Sequence, residues 1–179
     1  MAYLTFNQLS TTTTLRKSST LNESLRARTY TETNVFLSYR RKDRQYVEAI
    51  VKFLKGIGIN LYVDYLDETL EDKTNENVAA ILRDRIKSCN KFISVATPDS
   101  GNSKWMPWEL GLGDRIINYK NVAILPLTNS AVTWNDQEYG KIYGRVEGSN
   151  SYVSNGPDDW YVIYPDGSKI KLKEWFLKN

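Results

Sequence analysis

From residue 34 to residue 128 the chain alternates short apolar runs with longer segments whose apolar residues recur at helical spacing. Short apolar runs bounded by polar turns are typical of buried strands, and a repeat of three to four residues is typical of a helix with one buried face. The predicted strands cover 35–37, 60–65, 91–96 and 122–127. Strands that alternate with helices predict a parallel sheet covered by helices, with functional loops at the carboxyl ends of the strands.

Three helices are predicted between these strands. The apolar positions of the first are Val47, Ile50, Val51 and Leu54, and those of the second are Val78, Ile81, Leu82 and Ile86. Asp43 is predicted to cap the first helix, which Gly56 and Gly58 end. The third helix begins near Trp105. The acidic segment 66–75 precedes the second helix and is predicted to be a long loop.

The two ends of the chain depart from this alternation. Residues 1–33 are rich in Thr, Ser and Arg and are predicted to form an amino-terminal arm, either a short helix over 15–28 packed on the domain or a partly disordered segment. A targeting peptide is the alternative, although no apolar stretch or cleavage pattern supports it. Segment 134–156 is predicted to be dominated by loops. Segments 161–164 and 169–172 flank Pro-Asp-Gly, which predicts a hairpin.

Composition limits the kinds of function. The 179 residues suffice for one domain with a core, and a net charge of +3 with interspersed signs argues against a nucleic-acid surface. No apolar run reaches the roughly twenty residues that span a bilayer, so no membrane segment is expected. A lone cysteine fits a reducing interior, and the predicted location is cytoplasmic.

The chain contains no histidine, which is the strongest chemical restriction. The Ser-His-Asp and Cys-His arrangements are therefore excluded in their usual forms. The commonest metal ligand is also absent, and Cys89 alone cannot form a thiolate site, so no metal is expected. An enzyme built from this sequence would rely on carboxylates, Lys, Arg, Tyr, Ser or Thr.

The segment Ser-Lys-Trp-Met-Pro-Trp-Glu-Leu-Gly at 103–111 is the most informative candidate site. It places Trp105 and Glu109 four residues apart at the predicted start of a helix, where residues at this spacing share one face. Pro107 is tolerated only near a helix start, so Glu109 is expected within the first turn or two. A flat aromatic ring beside a lone anion suits a substrate with a planar cationic ring on a sugar.

This ordered set of segments resembles a TIR domain (Toll/interleukin-1 receptor/resistance), most closely those of stand-alone bacterial TIR proteins. The matching segments are 35–43, 61–64, 103–111, 122–126 and 137–139. The resemblance implies a TIR domain over 34–179, with an atypical carboxyl-terminal part. It also implies a flavodoxin-like three-layer α/β sandwich with a central parallel sheet of about five strands. Loop 66–75 corresponds to the family's BB loop, which implies self-association through TIR–TIR contacts.

The resemblance also implies an activity. Many TIR domains cleave the bond between nicotinamide and ribose in NAD⁺ with a glutamate that matches Glu109, so NAD⁺ is the expected substrate and no cofactor is needed. The products would be nicotinamide and either ADP-ribose or a cyclic isomer. Bacterial relatives serve antiphage defence, including Thoeris-type systems in which a separate effector senses the product.

By the same resemblance, Trp105 would stack on the nicotinamide ring. The loop residues Tyr39, Arg40 and Arg41 would line the cleft, and Asp64 would contact substrate.

Each of these residues has a simpler interpretation. Trp105 suits core packing, Glu109 suits a surface acid near a helix amino terminus, and Asp64 suits a loop cap. The two arginines suit solvated positions. The corresponding alternatives for the whole chain are a non-catalytic TIR interaction module, or a secreted effector with the arm as an export signal. The acid at position 109 favours the enzyme, because adaptor-type TIR domains frequently lack it.

Overall fold

The buried apolar runs of the chain form the centre of one sheet. The computed structural model describes residues 2–13, 33–57, 61–64, 76–135, 138–149 and 159–178, without the side chains of 11–13, 61–64 and 139. The strands are β1 Leu4–Thr5, β2 Thr33–Ser38, β3 Leu61–Asp64, β4 Lys91–Ala96, β5 Val122–Thr128, β6 Gly144–Gly148, β7 Trp160–Ile163 and β8 Lys169–Lys171. The helices are α1 Phe6–Thr13, α2 Val47–Gly56, α3 Glu76–Lys87, α4 Trp105–Ile117 and α5 Leu172–Leu177.

The sheet has the strand order β3-β2-β4-β5-β6-β7-β8. Its first five strands run parallel to one another, which confirms the predicted flavodoxin-like sheet of about five parallel strands. β7 and β8 extend the sheet antiparallel, so the predicted carboxyl-terminal hairpin is also confirmed. The order reverses between β2 and β4, because the chain moves outward to β3 and then returns to the other side of β2.

Helices cover both faces of this sheet. Every residue of β4 and β5 is buried, as expected for parallel strands with helices on both sides. One core cluster lies under α1, α2 and α5 and includes Val35 and Leu37 of β2. A second cluster lies under α3 and α4 and includes Phe36. Successive residues of β2 thus point to opposite faces, which gives the three-layer architecture.

Helix α4 lies unusually close to β4. A Cβ atom built on Gly113 would lie 2.6 Å from Cδ2 of the Phe92 ring, so this helix position has room only for glycine. The close approach fixes the height of α4 above the sheet.

Two local features were not predicted. Segment 134–156 was predicted to be dominated by loops, and it includes the strand β6, which pairs parallel with β5 and antiparallel with β7. Its sequence Gly-Arg-Val-Glu-Gly has little strand pattern, and the two neighbouring strands supply the stabilisation that the local sequence lacks. Asp43 does not cap α2, whose amino-terminal cap is Tyr46. Asp43 lies instead in a 3₁₀ turn over Arg41–Tyr46, where it bonds Arg40 and Thr97.

The described part of the amino-terminal arm belongs to the sheet and the core. β1 pairs parallel with the end of β5, and α1 contributes Leu9 to the first core cluster. The helix predicted over 15–28 and the loop predicted over 66–75 lie outside the described residues. Within the described ranges, no helix combines the length and the apolar character needed to cross a membrane.

Candidate functional site

The strand order reverses between β2 and β4, which predicts a ligand crevice at the carboxyl ends of these two strands. In open α/β sheets, ligands bind outside the carboxyl ends of the strands where the strand order reverses. Ser38 ends β2 and Ala96 ends β4, and α4 follows β4 after a short connection. The beginning of α4 therefore lies beside the end of β2.

Glu109 lies at this edge of the sheet, beside the end of β2. It is the fifth residue of α4 and is only 1% exposed. The Ser38 hydroxyl donates a hydrogen bond of 2.6 Å to its Oε2 atom. The other carboxylate oxygen, Oε1, is buried and has no hydrogen-bond partner among the described residues. The predicted position within the first turns of the helix is confirmed, and the interpretation as a surface acid is wrong.

Burial controls the protonation of Glu109. Loss of solvent raises the pKa of its carboxyl group to about 6, and the hydrogen bond from Ser38 opposes this shift. Burial has the larger of these two opposing effects on the carboxyl group. At pH 7 about nine-tenths of the molecules still carry the carboxylate, since the pH lies about one unit above the pKa.

Trp105 is part of the hydrophobic packing at the start of α4. Its half-buried ring packs against the second core cluster and lies edge-to-face with Trp108, at 5.4 Å between ring centroids. Trp108 is 36% exposed, and the guanidinium of Arg83 lies 5.7 Å from its ring centroid. The expected stacking of Trp105 on a substrate ring stays a prediction.

Arg40 holds two loops together at the crevice. Its guanidinium forms a bidentate ion pair with Asp43 and reaches Asp99, which raises the pKa of Arg40. The Thr97 hydroxyl donates to Asp43, and the Ser100 hydroxyl accepts from the Thr97 amide. These contacts join the loop after β2 to the loop after β4. Arg40 is therefore an ion-paired residue rather than a solvated one.

The remaining predicted site residues lie in different environments. Tyr39 is buried in the first core cluster, on the sheet face opposite Phe36. Arg41 is exposed on the turn that follows β2. Asp64 ends β3, and its backbone pairs in register with Phe36; its side chain is not among those that the structure describes. Substrate contacts by these three residues stay predictions.

Ser38 is the site residue that the sequence analysis missed. It belongs to the matching segment 35–43, but no role was assigned to it. The strand pattern could have identified it. Side chains alternate between the two faces of a strand, so Ser38 lies on the same face as Phe36, toward α4. What the sequence could not supply was the identity of the helix residue opposite this hydroxyl group.

Comparisons with known proteins identify the family of the chain. Residues 35–148 match the family model described as TIR domain. The chain is 29% identical over 150 residues to "Probable 3' cyclic ADP-D-ribose synthase ThsB'" of Bacillus cereus (strain MSX-D12), covering 82% of this chain and 76% of that protein. It is 23% identical over 117 residues to "Putative cyclic ADP-D-ribose synthase TIR2" of Cytobacillus dafuensis, covering 56% of this chain and 31% of that protein.

Among solved structures, the TIR domains of the activated Roq1 resistosome align with a TM-score of 0.38 at 22% identity. The alignment covers 54% of this chain and 57% of that one.

Proposed function

The chain belongs to the TIR domain family, and on that premise we propose that it cleaves the bond between nicotinamide and ribose in NAD⁺. The observation that carries the proposal is the Oε1 atom of Glu109, a buried carboxylate oxygen without a hydrogen-bond partner in the described structure. Buried polar atoms are rarely left unpaired. A ribose hydroxyl that donates to this oxygen would complete its bonding.

A single carboxylate suffices for this reaction. Most glycosidases need two carboxyl groups, because one must protonate the leaving oxygen. In NAD⁺ the leaving group is a pyridinium cation, which takes the electron pair of the broken bond and departs as neutral nicotinamide. Glu109 needs only to orient the ribose and stabilise the positive charge that develops at its anomeric carbon.

The fate of the ribosyl centre determines the product. Attack by water, with loss of a proton, gives ADP-ribose. Attack by a hydroxyl or ring nitrogen of the same molecule, with loss of a proton where the nucleophile is a hydroxyl, gives a cyclic isomer. Both curated relatives are named as cyclic ADP-D-ribose synthases, which supports a cyclic product for this chain.

Further residues are assigned on the family's pattern. Trp105 would stack on the nicotinamide ring, where cation–π attraction weakens as the ring becomes neutral. Arg41 would contact the pyrophosphate, and Asp64 a substrate hydroxyl group. Arg40 and Tyr39 would shape the crevice, because one is ion-paired with Asp43 and the other is buried.

The biological role we propose is bacterial antiphage signalling, in which a downstream effector senses the product. Activity would depend on self-association through TIR–TIR contacts that include loop 66–75. A non-catalytic TIR interaction module is the competing function. The buried, ionised Glu109 favours the enzyme, because a pure interaction surface has no need of a carboxylate withdrawn from solvent.

The test is incubation of concentrated protein with NAD⁺, followed by measurement of nicotinamide release and product mass. Glu109→Gln is expected to slow release by about 10³-fold, since it removes the charge that stabilises the transition state. Glu174→Gln is the matched control, because this acid is exposed on α5. NAD⁺ that stays intact with the assembled wild-type protein would overturn the enzymatic function. Unchanged turnover by Glu109→Gln would overturn the assignment of Glu109.

A further inference from the structure

A cavity of about 710 Å³ lies at the other end of the sheet from Glu109. Its lining includes Lys91, the first residue of β4, and Asn121, which immediately precedes β5. The crevice of Glu109 lies at the carboxyl ends of the parallel strands, whereas this cavity lies at their amino ends. The length of β4 separates the two edges by roughly 16 Å.

Positive charge dominates this cavity. Four lysines line it, Lys91, Lys120, Lys169 and Lys178, against a single described carboxylate, Asp166. The whole chain is nearly balanced, with 24 basic and 21 acidic residues, so this ratio is a local feature. A concave surface lined by one sign of charge concentrates its field and attracts counter-ions.

The pKa of Lys91, the most buried of these lysines, is affected by the same excess of positive charge. Lys91 is 1% exposed, and its ammonium group donates to the Asn121 side chain and to the Lys178 carbonyl. It also lies 5.0 Å from the centroid of the Trp175 ring. Burial and the positive charge of Lys178 lower the pKa of Lys91 to about 8. An anion in the cavity would relieve this repulsion.

The walls of the cavity are held in place by hydrogen bonds. The Lys120 carbonyl accepts one from the Tyr164 hydroxyl at 2.8 Å and one from Trp175 Nε1 at 2.9 Å. Asn118, at the end of α4, also lines the cavity and has φ +81°, the only positive φ of a non-glycine residue in the described ranges. A fixed lining avoids the ordering cost of ligand binding.

The rim also offers apolar surface. Tyr119 is 47% exposed and Ile142 is 59% exposed, and both line the cavity. An aromatic ring and a branched aliphatic side chain left in solvent form a surface on which a flat ring can stack. The combination of lysines and apolar rim therefore fits a ligand that joins an anion to a planar ring.

We propose that this cavity is a second binding site, separate from the Glu109 crevice, and that it binds a nucleotide. Lys120, Lys169 and Lys178 contact the phosphate, and the base lies against Tyr119 and Ile142. The proposal goes beyond the cleavage of NAD⁺ and does not depend on it, because no residue of the Glu109 crevice takes part.

The test is titration of the whole chain with three probes, adenosine monophosphate, adenosine and inorganic phosphate, followed by calorimetry and by the NMR signal of the Trp175 indole N–H. Adenosine monophosphate is expected to bind more tightly than either fragment and to shift this signal. The double variant Lys120→Gln/Lys169→Gln should weaken its binding by about tenfold or more, since two charge-assisted contacts are lost. Tyr119→Ala should weaken binding of the nucleotide but not of phosphate.

Two control variants locate the site. Lys87→Gln removes an exposed lysine on α3, outside the cavity, and should leave the affinity unchanged. Glu109→Gln should also leave it unchanged, since Glu109 lies at the opposite edge of the sheet. Absence of saturable binding, affinity unaffected by the double lysine variant, or affinity lost with Glu109→Gln would each overturn the proposal. Phosphate or adenosine bound as tightly as the nucleotide would overturn the assigned ligand class.

Discussion

At the scale of single residues, Glu109 combines two properties that oppose each other. Its carboxyl group is almost fully withdrawn from solvent, yet its proposed role requires the ionised form. The Ser38 hydroxyl is the described group that favours ionisation, and it acts on one oxygen only. The pH dependence of activity and of stability should therefore both report on this pair.

The rate of nicotinamide release should fall as the pH falls through about 6, the pKa of Glu109. Protonation removes the charge that stabilises the transition state, so kcat/KM at pH 5 should be about tenfold below its value at pH 7. Ser38→Ala removes the bond that lowers this pKa and should move the midpoint of the profile to higher pH. Steady-state rates across pH 4.5–9 measure this, with the exposed Ser149→Ala as control. An unshifted midpoint would contradict the role of Ser38.

The same burial predicts that Glu109→Gln stabilises the protein. The carboxyl pKa rises from 4.5 to about 6 on folding, so the folded state binds the proton more readily. Wild-type stability therefore falls as the pH rises from about 4.5 to about 6 and stays lower above that range, by about 2 kcal/mol. Urea unfolding should show a higher free energy of unfolding for Glu109→Gln than for the wild type at pH 8, and no difference at pH 4. The same difference at both pH values would exclude ionisation of the carboxyl group as its cause.

The sequence predicted where Glu109 lies, because Pro107 restricts it to the start of a helix. It did not predict that the carboxylate is buried beneath the end of β2, since burial depends on how closely α4 approaches the sheet. That approach depends on Gly113 above Phe92, a contact between residues that are distant in the sequence. The bond from Ser38 follows from the same approach.

At the scale of elements, the site depends on two loops fixed to each other. Arg40 and Asp43 belong to the connection after β2, and Thr97 and Ser100 to the connection after β4. Asp43 receives bonds from both sides and is buried. It was predicted to be a helix cap, because acids before an apolar helical repeat usually are. Its partner Thr97 directly follows β4 and is 54 residues away in the sequence, so this hydrogen bond could not be predicted from the local sequence.

Asp43→Asn should lower the free energy of unfolding by about 2 kcal/mol, because Arg40 loses its bidentate partner in a largely buried setting. Asp99→Asn is the matched control. Its side chain is 66% exposed, so its contact with Arg40 should contribute less than about 1 kcal/mol. Chemical denaturation of both variants gives the comparison. Equal losses would show that Asp43 does not hold the two loops.

The local sequence pattern predicted some of the strands and not others. Continuous apolar runs predicted the central strands β4 and β5, where both faces are buried. β6 was missed, because the stability of a strand paired on both sides does not require an apolar pattern of its own. β1 was missed because two residues carry no periodicity.

At the scale of the whole molecule, the proposed self-association predicts that activity depends on concentration. The rate of nicotinamide release per molecule should rise with protein concentration, because assembly by mass action would complete the site. Asp67→Ala/Glu68→Ala, in the predicted loop 66–75, should weaken this rise. Rates at increasing concentration, with light scattering in parallel, measure both effects. A constant rate per molecule would show that one chain forms a complete site.

The buried carboxylate also bears on how such proteins change over evolutionary time. Replacement of Glu109 by a neutral residue of similar size removes an unfavourable burial of charge. Under the proposed function, selection for catalysis retains the acid, while selection for folding acts against it. A lineage released from the need to cleave substrate would lose this glutamate readily and keep the fold intact.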